Sequence, residues 1–326
     1  MYFCRMAQVR PSFISIVGTL QSQRDVHALS AWLRAVYAEV VAQFSDFEFV
    51  IVNNDCDLER IDAVIKPLPE ELRKNIFLLN LSVPVSRDNA LVAGLDRANG
   101  DYTVIFEFDF SEKPQLITQM WERSQTGHDI VYLRAQERRI SWANRMLYKV
   151  FYGIMQRYSG LRLDPRAHHT RLISRRALNS LLRLREHSRY LKANYALVGY
   201  NTAYIQVEEP LLGDPDATFA EQFRTSLVAI TSFTTFLRAL LFWIFLSSVL
   251  VAGAAIFNAI KLKLTNVDIF GDPQQALSGW AFLVVMISVF FAITCLNLYI
   301  MSIYLSNIYS EIKNRPLYII ESVKRY

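Results

Sequence analysis

Cysteine is scarce. Cys4, Cys56 and Cys295 are the only three in 326 residues and stand far apart, which excludes a disulfide framework and a cysteine zinc site and fits a reducing compartment. The opening residues MYFCRMAQVRPSF lack the continuous apolar core of a signal peptide, so nothing in them directs the next domain across a membrane. No long basic block is present. The net charge of +5 is a mild excess that suits an anionic membrane surface or phosphate ligands and argues against a nucleic-acid partner. His27, His128 and His187 have no partner pattern of any kind.

Charge is missing altogether from two long stretches. Leu240 to Ile260 carries none, is bracketed by Arg238 and Lys261, and is long enough as a helix to cross a hydrocarbon core of about 30 Å. Trp280 to Leu305 is equally free of charge, with Trp280 at one end and Tyr299 and Tyr304 towards the other, where amphipathic rings favour the interface. Both are expected to be transmembrane helices; the alternative, two core helices of a large soluble protein, would require buried helices that run unusually far without a charge. Two spans return the flanking segments to one side. Arg224, Arg238, Lys313, Arg315, Lys324 and Arg325 flank the pair, whereas the loop between offers Lys261 and Lys263 beside Asp268 and Asp272. The basic bias puts the amino-terminal domain and the tail, and so both termini, in the cytoplasm, as in a multi-pass protein of the inner membrane.

The first two hundred residues alternate strand and helix signals. Phe13 to Thr19 is a β-rich run, Val26 to Phe44 carries apolar residues at helical spacing, and FEFVIVNN, IFLLNL and DYTVIFEFD predict three more buried strands, with a helix over Asn89 to Ala98 before the Gly100-Asp101 turn. This predicts an α/β domain with a mostly parallel sheet covered on both faces. Ligands of such sheets sit at the carboxyl ends of the strands, here Gly18 to Gln21, Asn53 to Asp57 and Glu107 to Glu112. Glu107-Phe108-Asp109 is the most informative of these. On a strand, two acids one residue apart point the same way, and hard Mg²⁺ or Mn²⁺ prefers carboxylate oxygens and bridges to a nucleotide diphosphate. A solvated strand end is the competing reading.

Leu91 to Ile117 (LVAGLDRANGDYTVIFEFDFSEKPQLI) resembles the segment of inverting family-2 glycosyltransferases in which A-G-L and a Gly-Asp turn lead through a strand to D-x-D. GHDIVYLRAQERR, FYGIMQRYSG, RLISRRAL, SFTTFLRALL and YSEIKNRPLYII follow in order, and the set resembles the polyprenyl-phosphate glycosyltransferases, the group of dolichyl-phosphate mannose synthase and bactoprenol glucosyltransferase. The resemblance covers nearly the whole chain. It implies a cytoplasmic Rossmann-like GT-A domain over residues 1–225, a membrane domain over 226–310 with spans at about 240–260 and 280–305, and a cytoplasmic tail over 311–326. It also implies a nucleotide-sugar donor, a polyprenyl-phosphate acceptor and a membrane partner, and the apolar spans are compatible with a homo-oligomer.

By the same resemblance Asp109 holds the metal and Glu107 contacts metal or ribose. Gly18, Asn53, Arg87, Asp88 and Arg134 face the donor, and Arg138 and Arg145 are candidates for the acceptor phosphate, since guanidinium forks suit phosphate oxygens. His169, two residues ahead of RLISRRAL where the family has an acid, and Arg171, the first residue of RLISRRAL, are candidate catalytic residues, with His169 placed to orient or hydrogen-bond the acceptor phosphate. Leu181 to Leu197 mixes leucine with Arg183, Arg185, Arg189 and Lys192, as either an interfacial helix or an amphipathic domain helix would. The chain departs from the family at several points: Gly18-Thr19-Leu20-Gln21-Ser22 replaces Pro-x-x-Asn-Glu, Asn53-Asn54 replaces Asp-Asp, Ser111 replaces a glutamine, and Asp216 falls where a lysine is usual. Two functions remain. One is an inverting transferase making a polyprenyl-phosphate sugar; the other is a catalytically degenerate relative that binds the lipid phosphate or a membrane partner.

Overall fold

The computed structural model describes residues 10–136, 138–139, 142–161, 163–184, 191–212, 226–227, 229–231, 233–265, 267, 280–313 and 316–326. In chain order the elements are β1 (Arg10–Leu20), α1 (Gln23–Gln43), β2 (Phe44–Asn53), α2 (Leu58–Ile65), α3 (Glu70–Arg73), β3 (Ile76–Leu81), α4 (Arg87–Arg97), β4 (Tyr102–Ile105), α5 (Gln115–Ser124), β5 (Ile130–Ala135), β6 (Arg138–Arg139), α6 (Trp142–Ser159), β7 (Ala167–Ser174), α7 (Arg175–Arg183), α8 (Leu191–Leu197), β8 (Thr202–Val207), β9 (Leu211–Leu212), α9 (Phe236–Thr265), α10 (Trp280–Lys313) and β10 (Ile320–Arg325). The chain forms two compact units. One gathers Met1–Tyr152, Leu161–Gln222 and Asn314–Tyr326; the other gathers Gly153–Gly160 and Phe223–Lys313.

The first unit is built on an eight-stranded sheet of order β10-β3-β2-β1-β4-β7-β5-β8. β3, β2, β1 and β4 are mutually parallel, as are β5 and β8, while β7 and β10 run antiparallel to their neighbours. Burial on both faces explains why the central strands are continuously apolar. Ile14, Ile16, Phe49 and Ile51 pack with α1, α2 and α5 on one face, and Val17, Val50 and Val52 pack with α4, α7 and α8 on the other. The expected mostly parallel α/β sheet is present, made mixed by the antiparallel β7 and β10.

Two glycines of the quoted motif are structural necessities. A Cβ on Gly94 would stand 2.5 Å from Val17 Cγ1 and 3.0 Å from Val52 Cγ2, so Ala93-Gly94-Leu95 lets α4 lie directly on β1 and β2. A Cβ on Gly100 would stand 2.7 Å from the Ser15 nitrogen, because the Gly100-Asp101 turn passes across β1, where Asp101 Oδ2 accepts from the Phe13 N–H at 3.0 Å.

Three expectations are revised. DYTVIFEFD is not strand to its end: β4 stops at Ile105, and Phe108–Phe110 form one 3₁₀ turn. Leu181 to Leu197 is not one interfacial helix. Among the described residues, α7 stops at Arg183 and α8 starts at Leu191, and Ala177, Leu178, Leu181, Leu191 and Tyr195 all face the core. The tail over 311–326, expected as a segment apart from the amino-terminal domain, contributes a strand to it, because β10 adds to the sheet edge beside β3.

The second unit holds two helices long and apolar enough to cross a membrane by length and composition, over Ala239–Asn258 and Val285–Ser306. Twenty helical residues rise about 30 Å. Side chains such as Phe242, Trp243, Phe245, Phe291, Leu298 and Met301 are more than half exposed along them, a bare apolar surface of the kind that marks contact with a membrane or a partner.

Candidate active site

The carboxyl ends of β1, β2 and β4 meet the first turn of α4 and the start of β7. β7 runs antiparallel to β4, pairing Arg171 with Ile105, so residues 168–170 continue past the end of β4 into the same space.

Past the end of β4 the Phe106 N–H still bonds Val17 O at 3.0 Å, after which the chain turns. Phe108 packs on Trp32 and Phe110 on Phe106 and His168, so the phenylalanines of the turn are anchored in the core. The two acids between them part company. Glu107 Oε1 pairs with Arg87 Nη2 at 2.5 Å, and Oε2 accepts from the Thr170 N–H at 3.1 Å and the Thr170 hydroxyl at 3.2 Å. Burial alone would raise its pKa, but Arg87 foremost, then the His169 and His168 rings and the Thr170 N–H, hold it at about 2. Asp109 is exposed and, among the described residues, makes no hydrogen bond or ion pair. Burial of its carboxyl and the neighbouring Glu107 charge raise its pKa. Glu107 is therefore an anchored carboxylate with both oxygens engaged, and Asp109 is the open one.

β7 distributes its side chains alternately. His168 lies edge-on to Phe110 and its Nε2 is 3.3 Å from Glu209 O, and Thr170 holds Glu107. On the other face His169 Nδ1 is 3.8 Å from Asp88 Oδ1. Burial, reinforced by Lys192, pushes the His169 pKa well below its usual range, so the ring is neutral at pH 7. The same burial raises the Asp88 pKa against the Leu191 N–H, which donates to Oδ2 at 2.9 Å. Arg171 is 3% exposed; its guanidinium donates to the His169 and His168 carbonyls at 3.2 and 2.9 Å and stacks on Tyr195 at 3.8 Å. It braces the strand from beneath, and Arg87, Asp88, Glu107, Asp109 and His169 are the predicted residues that come together.

The remaining predicted residues are placed elsewhere or already committed. Gly18 faces the core, where an added Cβ would meet Trp32 at 3.2 Å, so helix packing accounts for it. Asn53 is 2% exposed, with its amide spent on Cys56 and Asn80. Asn54 clamps Gln21 and Val85 through three bonds of 2.8–2.9 Å. Arg134 pairs with Asp164 at 2.9 Å and stacks on Tyr204. The side chains of Arg138 and Arg145, and Asp216 with most of its loop, lie outside the described residues. Sequence reasoning missed Thr170, Lys192 and Tyr195. Alternation along β7 would have placed Thr170 beside Glu107, whereas nothing local marks Tyr195 as the platform for Arg171.

Among the described residues no three His, Cys, Asp or Glu side chains form a ready metal cluster. The donor set fits a cation that keeps few protein ligands: Mg²⁺ is commonly bound by one or two carboxylates, with substrate phosphates and water completing the shell. Asp109 is the free carboxylate such an ion requires.

Residues 27–182 match the family described as glycosyl transferase family 2. An uncharacterised glycosyltransferase of Synechocystis is 28% identical over 285 residues, covering 85% of each chain. The prophage bactoprenol glucosyl transferase homolog of Escherichia coli is 25% identical, covering 89% of this chain and 94% of its own. The undecaprenyl-phosphate 4-deoxy-4-formamido-L-arabinose transferase of Edwardsiella ictaluri is 23% identical, covering 96% and 94%.

Proposed function

We propose, on the premise of the glycosyl transferase family 2 match over residues 27–182, that the protein moves a sugar from a nucleotide-diphosphate donor to a polyprenyl phosphate at the cytoplasmic face of a membrane. The observation that carries the chemistry is the split between Glu107 and Asp109. One acid is neutralised internally by Arg87 and Thr170, and the other stands open at the strand ends. A Mg²⁺ or Mn²⁺ held there supplies positive charge to the leaving diphosphate. Arg87 adds a half-exposed guanidinium beside the same acids.

The acceptor needs little activation. A phosphate monoester has a second pKa of about 6, so at pH 7 the lipid phosphate is already largely a nucleophilic anion. Its oxygen forms the new bond to the anomeric carbon as the bond from that carbon to the diphosphate oxygen breaks, which inverts the configuration. Neutral His169 is suited to hydrogen-bonding the acceptor phosphate, and no proton need be removed in the step.

The two bare apolar helices and the basic residues flanking them support a membrane setting with the loop between them on the far side. The pairing of β10 with β3 after α10 supports the reading that the segments before α9 and after α10 share one side. The test is transfer itself. Purified full-length protein in detergent, with Mn²⁺ or Mg²⁺, a polyprenyl phosphate and a panel of nucleotide sugars, is expected to give a lipid-linked sugar with at least one donor. No product with any donor would overturn the proposal.

A further inference from the structure

A directed chain of side-chain hydrogen bonds runs from the last strand to the turn that closes β2. Asn80 Nδ2 donates to Glu321 Oε2 at 2.8 Å, and Asn53 Nδ2 donates to Asn80 Oδ1 at 2.6 Å and to Cys56 O at 2.9 Å. Asn53 Oδ1 in turn accepts from the Cys56 N–H at 2.8 Å. Asn53 and Asn80 are register partners on adjacent parallel strands, and both are more than nine-tenths buried.

An amide side chain can flip, so something must set the direction of such a chain. An ionised carboxylate only accepts, and a backbone N–H only donates. Glu321 at one end and Cys56 N–H at the other therefore fix both asparagines in a single sense, and every buried donor and acceptor along the chain is satisfied. The backbone is shaped for this. Ser322, not Glu321, is the register partner of Asn80, because the register of β10 shifts between Ile320 and Ser322. A bulge of this kind re-aims one side chain at a sheet edge.

The same segment reaches the other wall of the site. Asn89 Nδ2, on the first turn of α4 beside Arg87 and Asp88, donates to Leu317 O at 3.2 Å, and Tyr318 donates to Asp96 at 2.7 Å. Farther along, Lys324 pairs with Asp62 at 2.5 Å and Arg325 Nε donates to Lys74 O at 3.1 Å, so the strand is pinned independently of Glu321.

We propose that β10 is a positioning element for the donor-facing end of the sheet, and that Glu321 is the positioning residue that holds the 53–57 turn in register. Within that turn Asp55 takes φ +75°, a left-handed conformation that is uncommon outside glycine and that aspartate adopts more readily than most residues. The ligand affected is the nucleoside part of the donor; this rests on the transferase reading above, together with the rule that ligands of such sheets sit at the carboxyl ends of the strands, here Asn53 to Asp57.

The experiment compares full-length wild type, Glu321→Ala and Glu321→Gln in detergent, reading amide hydrogen exchange across residues 53–57 and 78–81 together with donor KM and kcat. Glutamine retains an acceptor and alanine does not. Glu321→Ala is expected to speed exchange at Cys56 about tenfold and to raise donor KM about 5- to 10-fold, the loss of roughly one charge-assisted hydrogen bond, with kcat within about twofold. Glu321→Gln is expected to restore both to within about twofold. Unchanged Cys56 exchange in Glu321→Ala overturns the inference, as does equally fast exchange at 78–81, which would mean that the strand had simply come away. A wild type that transfers no sugar sinks the functional reading separately, and exchange at Cys56 then decides whether the coupling exists.

Discussion

Replacing Arg87 with methionine isolates the ion pair on which the two-acid arrangement depends. Glu107 titrates at about 2 in the folded protein against an ordinary 4.5, a gap worth ~3 kcal/mol of stability at neutral pH. Thr170 supplies two of its bonds and survives the substitution. The Arg87 guanidinium is 42% exposed and so partly screened, which brings the expected loss to roughly 1–2 kcal/mol. The sign follows from the depressed pKa. The stabilisation is complete above the unfolded value and lost as the pH falls through the folded one, so wild type and Arg87→Met should differ fully from pH 7 down to about 4 and converge by about pH 2. Urea unfolding in detergent, followed by tryptophan fluorescence, to which the fully buried Trp32 contributes as one of five, reads the difference at each pH. A gap that stayed constant across that window, or no gap at pH 7, would refute the account of Glu107 as an internally paired acid.

Gly94→Ala should destabilise the protein by about 1–3 kcal/mol, because the new methyl has no room between α4 and β1. Gly153→Ala in α6, which meets nothing within 4 Å, serves as the control and should be neutral or stabilising in the same denaturation assay. Tyr195→Phe removes a hydroxyl that is buried without a hydrogen-bond partner among the described residues, while keeping the ring under Arg171. Its unfolding free energy should stay within about 1 kcal/mol of wild type or rise, and a larger loss would mean that the hydroxyl has a partner.

Much of this molecule is legible in its sequence, because burial on both faces writes β1, β2 and β3 as apolar runs and the close approach of α4 demands a glycine at 94. Four strands of the eight and both apolar helices are evident in this way. The end of β4 is not, because Phe106, Phe108 and Phe110 keep the alternation of a strand while packing from a turn. β10 escapes notice for a different reason: an exposed edge strand of six residues needs no apolar face, and IESVKR looks like a solvated tail. The candidate site is legible as a set of places and much less as roles. Asp109 and Glu107 look equivalent in sequence, and only the folded chain brings Arg87 and Thr170, 20 residues before and 63 after, onto one of them. Likewise nothing local in the sequence shows that the candidate catalytic Arg171 is buried against Tyr195.

The central claim, that this fold transfers sugar through an open carboxylate at Asp109, is tested most directly by the initial rate of lipid-linked sugar formation by wild type and Asp109→Asn at saturating Mn²⁺, with equal folding shown by their unfolding curves. The account predicts a rate lower by about 10²–10³ for the variant, the cost typical of losing one charge-stabilising group in an active site. Equal rates would contradict it.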